Sequence, residues 1–148
     1  MALAPGDAAP DFELPDQTGA PRRLSTLLQD GPVVLFWYPA AMTTGCTKEA
    51  CHFRDIAAEF EAVGAQRVGI SADDPEKQAQ FDEKHDLGYP LLSDGDRTVA
   101  KAYGVKRLVP FNKRATFVIG SDGKLIDVIS SETNMEVHAD QALAALRA

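Results

Sequence analysis

Apolar and polar residues fall along the chain in blocks with two different periods. Val33-Val34-Leu35-Phe36-Trp37-Tyr38 is an uninterrupted apolar run rich in β-branched and aromatic side chains, which predicts a strand buried on both faces. Gln66-Arg67-Val68-Gly69-Ile70-Ser71 is a weaker run of the same kind. Ala115 to Ile119 and Lys124 to Ile129 flank Gly120-Ser121-Asp122-Gly123, where the Asp-Gly pair signals a hairpin turn. The strands predicted are two parallel central ones and one antiparallel pair, with an early extended segment at Asp11-Phe12-Glu13-Leu14.

Between and after these runs the period changes to that of a helix. Ala50, Phe53, Ile56, Ala57, Phe60 and Val63 recur at three- and four-residue steps while Lys48, Arg54, Asp55, Glu59 and Glu61 take the other side, predicting one helix that opens near Gly45. A second begins with Asp74 as N-cap and Pro75 at the first helical position and runs to about Asp86. A third spans Asp94 to Gly104, and a last runs from about His138 to the end. Alternating strands and helices, with no Pro/Ser-rich linker and no internal repeat, predict an α/β fold with a mixed central β-sheet flanked by helices, as a single domain over residues 1–148. The order suits a thioredoxin-like fold without singling it out.

The chain has 148 residues and a mass of 15.9 kDa, enough for a core that needs no disulfide. A net charge of −7 disfavours nucleic acid and acidic membrane surfaces as partners. The longest apolar stretch, Pro32 to Pro39, falls far short of the roughly 20 residues that span a bilayer. Met1 to Asp7 shows neither a basic region nor an apolar one, so a cytoplasmic location is expected. In that compartment two cysteines make no stabilising framework, and a pair with four residues between them is either catalytic or incidental.

Cys46 and Cys51 lie where the apolar strand hands over to the first helix. The reactive form of cysteine is the thiolate, and a free thiol is only about 3% ionised at neutral pH. A first-turn position exposes Cys46 to unpaired backbone N–H groups and the positive end of the helix dipole, both of which favour an anion. Thr43 and Thr44 supply hydroxyls, and Pro39 fixes the chain as it leaves the strand. The alternative for Cys46 is a small buried hydrophobe. Five residues of ideal helix separate the two Cα atoms by roughly 8–9 Å, beyond the about 7 Å a disulfide tolerates, so bridging requires the first turns to unwind. Cys51 alone reads as an ordinary buried-face residue; beside Cys46 it is a candidate resolving thiol. Arg114, just before the Ala115 strand, is a surface charge unless that strand lies beside the central one, in which case it reaches Cys46, with Glu49 placed to orient it.

The string Pro39-Ala40-Ala41-Met42-Thr43-Thr44-Gly45-Cys46 fits the pattern P-x-x-x-T-x-x-C and resembles the peroxiredoxin family. With Thr47 to Asp55 following, it is similar to the Q-type branch, also called bacterioferritin comigratory proteins. Pro10 to Leu14, Lys101 to Val105 and Arg114 to Ile119 resemble family segments too, so the likeness spans nearly the whole chain. The resemblance implies a thioredoxin-like fold and a thiol-dependent peroxidase for hydrogen peroxide and organic hydroperoxides, acting in antioxidant defence. It implies Cys46 as the peroxidatic cysteine, Thr43 bonding substrate oxygen and sulfur, Pro39 shielding the pocket and Arg114 activating thiolate and peroxide. Cys51 would resolve the sulfenic acid into an intramolecular Cys46–Cys51 disulfide, reduced by thioredoxin or a similar thiol donor, which spares Cys46 from sulfinic acid. No metal, flavin or haem is implied, and the branch suggests a monomer or weak homodimer. Thr44 departs from the proline many relatives carry before Gly45-Cys46.

Three other readings compete. A protein thiol-disulfide oxidoreductase on the same fold expects Trp-Cys-x-x-Cys, whereas here glycine precedes Cys46 and the spacing is wider. A metal module built from Cys46, Cys51, His52 and His138 lacks a second tight ligand pair. A chaperone or scaffold has no positive feature in the sequence.

Overall fold

The computed structural model describes residues 3–107 and 112–148. The apolar run forms β3 (Val33–Trp37), at the centre of a five-stranded sheet with β4 (Gln66–Ser71) and β5 (Leu91–Ser93) on one side and β6 (Ala115–Ile119) and β7 (Leu125–Ser130) on the other, in the order β5-β4-β3-β6-β7. β3, β4 and β5 are parallel; β6 runs antiparallel to β3, and β7 to β6. A small second sheet pairs β1 (Glu13–Pro15) with β2 (Pro21–Arg23). The central strand is buried along its length, and its side chains alternate between two cores: Val34, Phe36 and Tyr38 face one, Val33, Leu35 and Trp37 the other.

The first core lies under α2 (Thr44–Asp55), α3 (Ala57–Ala62), α4 (Pro75–His85) and α6 (Val137–Arg147), which contribute Ala50, Phe53, Phe60, Phe81, Ala139, Ala142 and Leu143. The Phe36 and Phe53 rings stack at 4.1 Å and 9°, fixing α2 over the central strand. The second core is covered by α1 (Leu24–Leu27) and α5 (Thr98–Ala102).

Three expectations need correction. The long first helix is two: α2 ends at Asp55 and Ile56 takes φ −105°, ψ 30°. The break coincides with Arg67 Nη1 donating to the Phe53 carbonyl at 2.9 Å, a foreign donor inserted at the ladder. The third helix is shorter than expected, because Arg97 adopts φ 61° and the Asp94 carboxylate caps the helix by accepting from Val99 and Ala100. β5, β2 and α1 are additional. The second helix keeps its expected start, with the Asp74 side chain accepting from the Lys77 N–H, and stops where Asp86 turns left-handed at φ 50°.

Candidate active site

The turn between β3 and α2 carries the thiol. Tyr38 N–H still donates to the Ile70 carbonyl, so the chain leaves the sheet at Pro39. Ala41 N–H then donates to Asp73 Oδ2 at 2.6 Å, an oxygen that also accepts from Ser71 Oγ at 2.8 Å. Asp73, at the end of β4, thereby pins the loop. Met42 turns the chain at φ 69°, a left-handed conformation in a residue with a side chain. Thr43 is the N-cap of α2 with extended backbone, and Thr44 and Gly45 are its first two helical residues. Cys46 follows in the first turn, 1% exposed.

Strand pairing brings the cation. In the β3–β6 register Trp37 faces Ala115, so Arg114 stands beside the end of β3 where the Cys46 turn departs. Its side chain is buried, and Nη2 donates to Cys46 Sγ at 3.3 Å while Nη1 donates to Glu49 Oε1 at 2.7 Å. Glu49 lies three residues after Cys46 on α2, on the same helix face, and is fully buried. The backbone of Arg114 is held too: its N–H donates to Glu132 Oε2 at 2.9 Å. One guanidinium thus bridges a sulfur and a carboxyl one helical turn apart.

Gly45 leaves room for this. A Cβ there would stand 3.2 Å from Met135 Cε and 3.3 Å from Arg114 Nη2, so Met135 and Arg114 close over a site that only a hydrogen leaves open.

Behind Glu49 lies His138, fully buried at the start of α6. Its Nε2 donates to the Ser131 carbonyl at 2.8 Å, its Nδ1 is 2.8 Å from Thr116 Oγ1 and 3.6 Å from Glu49 Oε2. Burial pushes Glu49 up to about 8, against the opposing pull of Arg114. Burial also depresses His138, with Arg114 adding to the effect. Burial draws Arg114 down, but the charges of Glu49 and Cys46 outweigh it and the net direction is up.

The structure brings together Cys46, Glu49 and Arg114, with Pro39, Thr43, Thr44 and Gly45 on the same turn. Thr43 differs in detail from the expectation: its hydroxyl donates to the Ala40 carbonyl at 2.8 Å, bracing the loop, and makes no bond to the sulfur. Thr44 is exposed. Cys51 is half-buried farther along α2, both cysteines are free thiols, and the helix between them is continuous. The stretch of α2 around and beyond Cys51 is tied down: Tyr89 OH donates to the Ala50 carbonyl at 2.7 Å, Arg67 stacks over the Tyr89 ring while holding the Phe53 carbonyl, and His52 pairs with Asp140 at 2.8 Å. Asp73 and Thr116 carry no functional signal in the sequence, where His138 figures only as a metal-ligand candidate. Asp73 is masked by its neighbour Asp74, which has the local N-cap signal, and the other two gain meaning only through the β6–α6 contact.

The sequence matches the AhpC/TSA family over residues 5–128. The chain belongs to that family. The crystal structure of peroxidoxin BcpB from Mycobacterium tuberculosis is 64% identical, covers 98% of this chain and 97% of its own, and superposes with a TM-score of 0.94. The chloroplastic peroxiredoxin Q of Arabidopsis thaliana is 41% identical over 145 residues, 97% of this chain and 67% of that protein. Xanthomonas campestris peroxiredoxin Q is 29% identical, with 92% and 89% of the two chains covered and a TM-score of 0.83. This AhpC/TSA chain is therefore a peroxiredoxin of the Q branch with a thioredoxin-like fold, a thiol-dependent peroxidase whose family acts on a peroxide and draws electrons from a thiol reductant. Among the described residues no helix is long and apolar enough to cross a membrane.

Proposed function

We propose that Cys46 is the peroxidatic cysteine and Cys51 the resolving one, in residues 1–148 acting as one cytoplasmic domain, monomeric or weakly dimeric. The observation that carries this reading is the Arg114 guanidinium divided between Cys46 Sγ and Glu49. A fixed cation against a buried sulfur favours the thiolate, and its remaining N–H face suits the oxygen of a bound peroxide. The thiolate attacks one peroxide oxygen, the O–O bond breaks, and the departing alkoxide or hydroxide takes a proton to leave as alcohol or water. Cys46 becomes a sulfenic acid. Pro39 shields the sulfur and Thr43, its hydroxyl released from Ala40, bonds the substrate oxygen.

The Cys51 thiol then attacks the sulfenic sulfur, the S–O bond breaks, water leaves, and a disulfide forms. Thioredoxin or a similar dithiol reduces it by exchange, with hydrogen peroxide and organic hydroperoxides as substrates. A protein thiol-disulfide oxidoreductase is less well served, since Cys46 is 1% exposed and a protein disulfide needs an open sulfur.

Cys46→Ser is expected to abolish peroxide turnover, and retained activity would move the nucleophile elsewhere. Cys51→Ser is expected to react once and then stall with thioredoxin; full cycling would remove Cys51 from its role.

A further inference from the structure

The buried group behind the thiol is unused by the steps above. Among the described residues Glu49 Oε2 has no hydrogen-bond partner, although it is sealed from water. His138 Nδ1 lies 3.6 Å from it. A carbonyl oxygen can only accept, so Nε2, facing the Ser131 carbonyl, carries a hydrogen, and Nδ1, 2.8 Å from Thr116 Oγ1, is the ring atom that can take or release one. The charged groups that face His138 are Glu49 from α2, Arg114 from the entrance of β6 and Glu132 from the segment after β7; Thr116 on β6 is neutral.

The charges in this cluster do not balance. Arg114 contributes one positive charge, the Cys46 thiolate and an ionised Glu49 one negative charge each. The buried cluster then carries an uncompensated negative charge unless one further proton stays in it. We infer that Glu49 and His138 hold that single proton between them while Cys46 is a thiolate, which makes His138 a positioning residue that leaves Arg114 facing one anion, the sulfur, instead of two. The inference rests on Cys46 being the reacting thiolate. Burial favours the neutral forms of both Glu49 and His138, which places the proton mainly on Glu49 at neutral pH.

When the shared proton leaves, Glu49 competes with the sulfur for the guanidinium. Single-turnover oxidation of Cys46 by hydrogen peroxide is then expected to fall along an alkaline limb, by about tenfold, less than the 10²–10³-fold of losing a stabilising donor outright. Thr116→Val frees Nδ1 to accept from the acid and is expected to move the limb to higher pH. His138→Leu removes that acceptor and moves the limb to lower pH. Opposite displacements by two adjacent variants are not the result of general damage, and one limb unmoved in both overturns the proposal.

The proton is also readable without peroxide. In the reduced full-length chain with ¹⁵N-labelled histidine rings, the His138 signals are assigned by elimination with His52→Gln and His85→Gln. The expected result is a step at Nδ1, with Nε2 staying protonated, that shares its midpoint with the Glu49 carboxyl carbon and disappears in Glu49→Gln. A flat Nδ1 from pH 5 to 10, or a step that survives Glu49→Gln, refutes the shared proton even if Cys46 reacts normally. Failure of the Cys46 reading shows separately, as reduced wild-type protein whose sulfur peroxide does not oxidise.

Discussion

Replacing Gly45 by alanine separates the chemistry of the site from the stability of the fold. Gly45 sits in the first turn of α2 with ordinary helical backbone, so the change imposes no strain there and gains helix propensity, at most about 0.5–1 kcal/mol. The new methyl carbon lies 3.2 Å from Met135 Cε and 3.3 Å from Arg114 Nη2, so both neighbours must withdraw by a few tenths of an ångström. Met135 is half-buried and its thioether swings freely, so on that side the cost is small. Arg114 has no such freedom, being 5% exposed and gripped by Glu49 at 2.7 Å, and the atom displaced is the one that donates to Cys46 Sγ. A hydrogen bond to a charged group is worth about 1.5–3 kcal/mol. Partial loss, about 1.4 kcal/mol, slows the reaction about tenfold. The assay is stopped-flow oxidation of the reduced protein by hydrogen peroxide, followed by Trp37 fluorescence, beside urea unfolding of the same sample. A variant as stable as wild type or more so, but about tenfold slower, is expected. An equally stable variant that reacts within twofold of wild type refutes the claim that the Arg114 contact sets the rate.

Three further outcomes are expected. Glu49 is protonated more firmly in the fold, at about 8, than in the unfolded chain, whose reference value is 4.5; stability is therefore greatest below that reference and declines as pH rises toward 8, by a few kcal/mol at most. Urea midpoints at pH 5 and pH 8 should differ more in wild type than in Glu49→Gln, and equal differences would deny the buried acid. On oxidation, amides of residues 46 to 51 should lose exchange protection while the Ile56 amide, which donates to the His52 carbonyl, keeps its own, because Arg67 and Asp140 restrain the far end; protection unchanged throughout would rule out unwinding. Tyr89→Phe removes the bond to the Ala50 carbonyl, and it should destabilise the fold by about 1 kcal/mol and extend the oxidation-induced opening past His52 in the same exchange experiment.

Much of this could be read in advance. The runs at residues 33–38 and 115–119 are strands because β-branched and aromatic side chains buried on both faces leave no polar alternation to misread, whereas 66–71, which opens on half-buried Gln66 and Arg67, shows the same signal only in Val68 and Ile70. β5 escaped because Leu91, Leu92 and Ser93 are too few to show a period. The helix running on through Ile56 was expected because the apolar positions keep step across the break, while its cause, Arg67, lies on another element. Cys46, Glu49 and Arg114 were legible from local spacing and from one inference about strand neighbours. His138 is legible only once β6 and α6 are packed together, since nothing beside it in the chain identifies what it faces.

The single guanidinium between Cys46 and Glu49 also dictates a sequence of events. In the proposed cycle, a helical turn that uncoils to carry the first sulfur toward Cys51 takes it away from Arg114, leaving the oxidised protein no poised nucleophile with which to meet a second substrate molecule. On that cycle peroxide and reductant visit in alternation, and the expected kinetics follow a two-stroke, ping-pong pattern in which neither waits bound for the other.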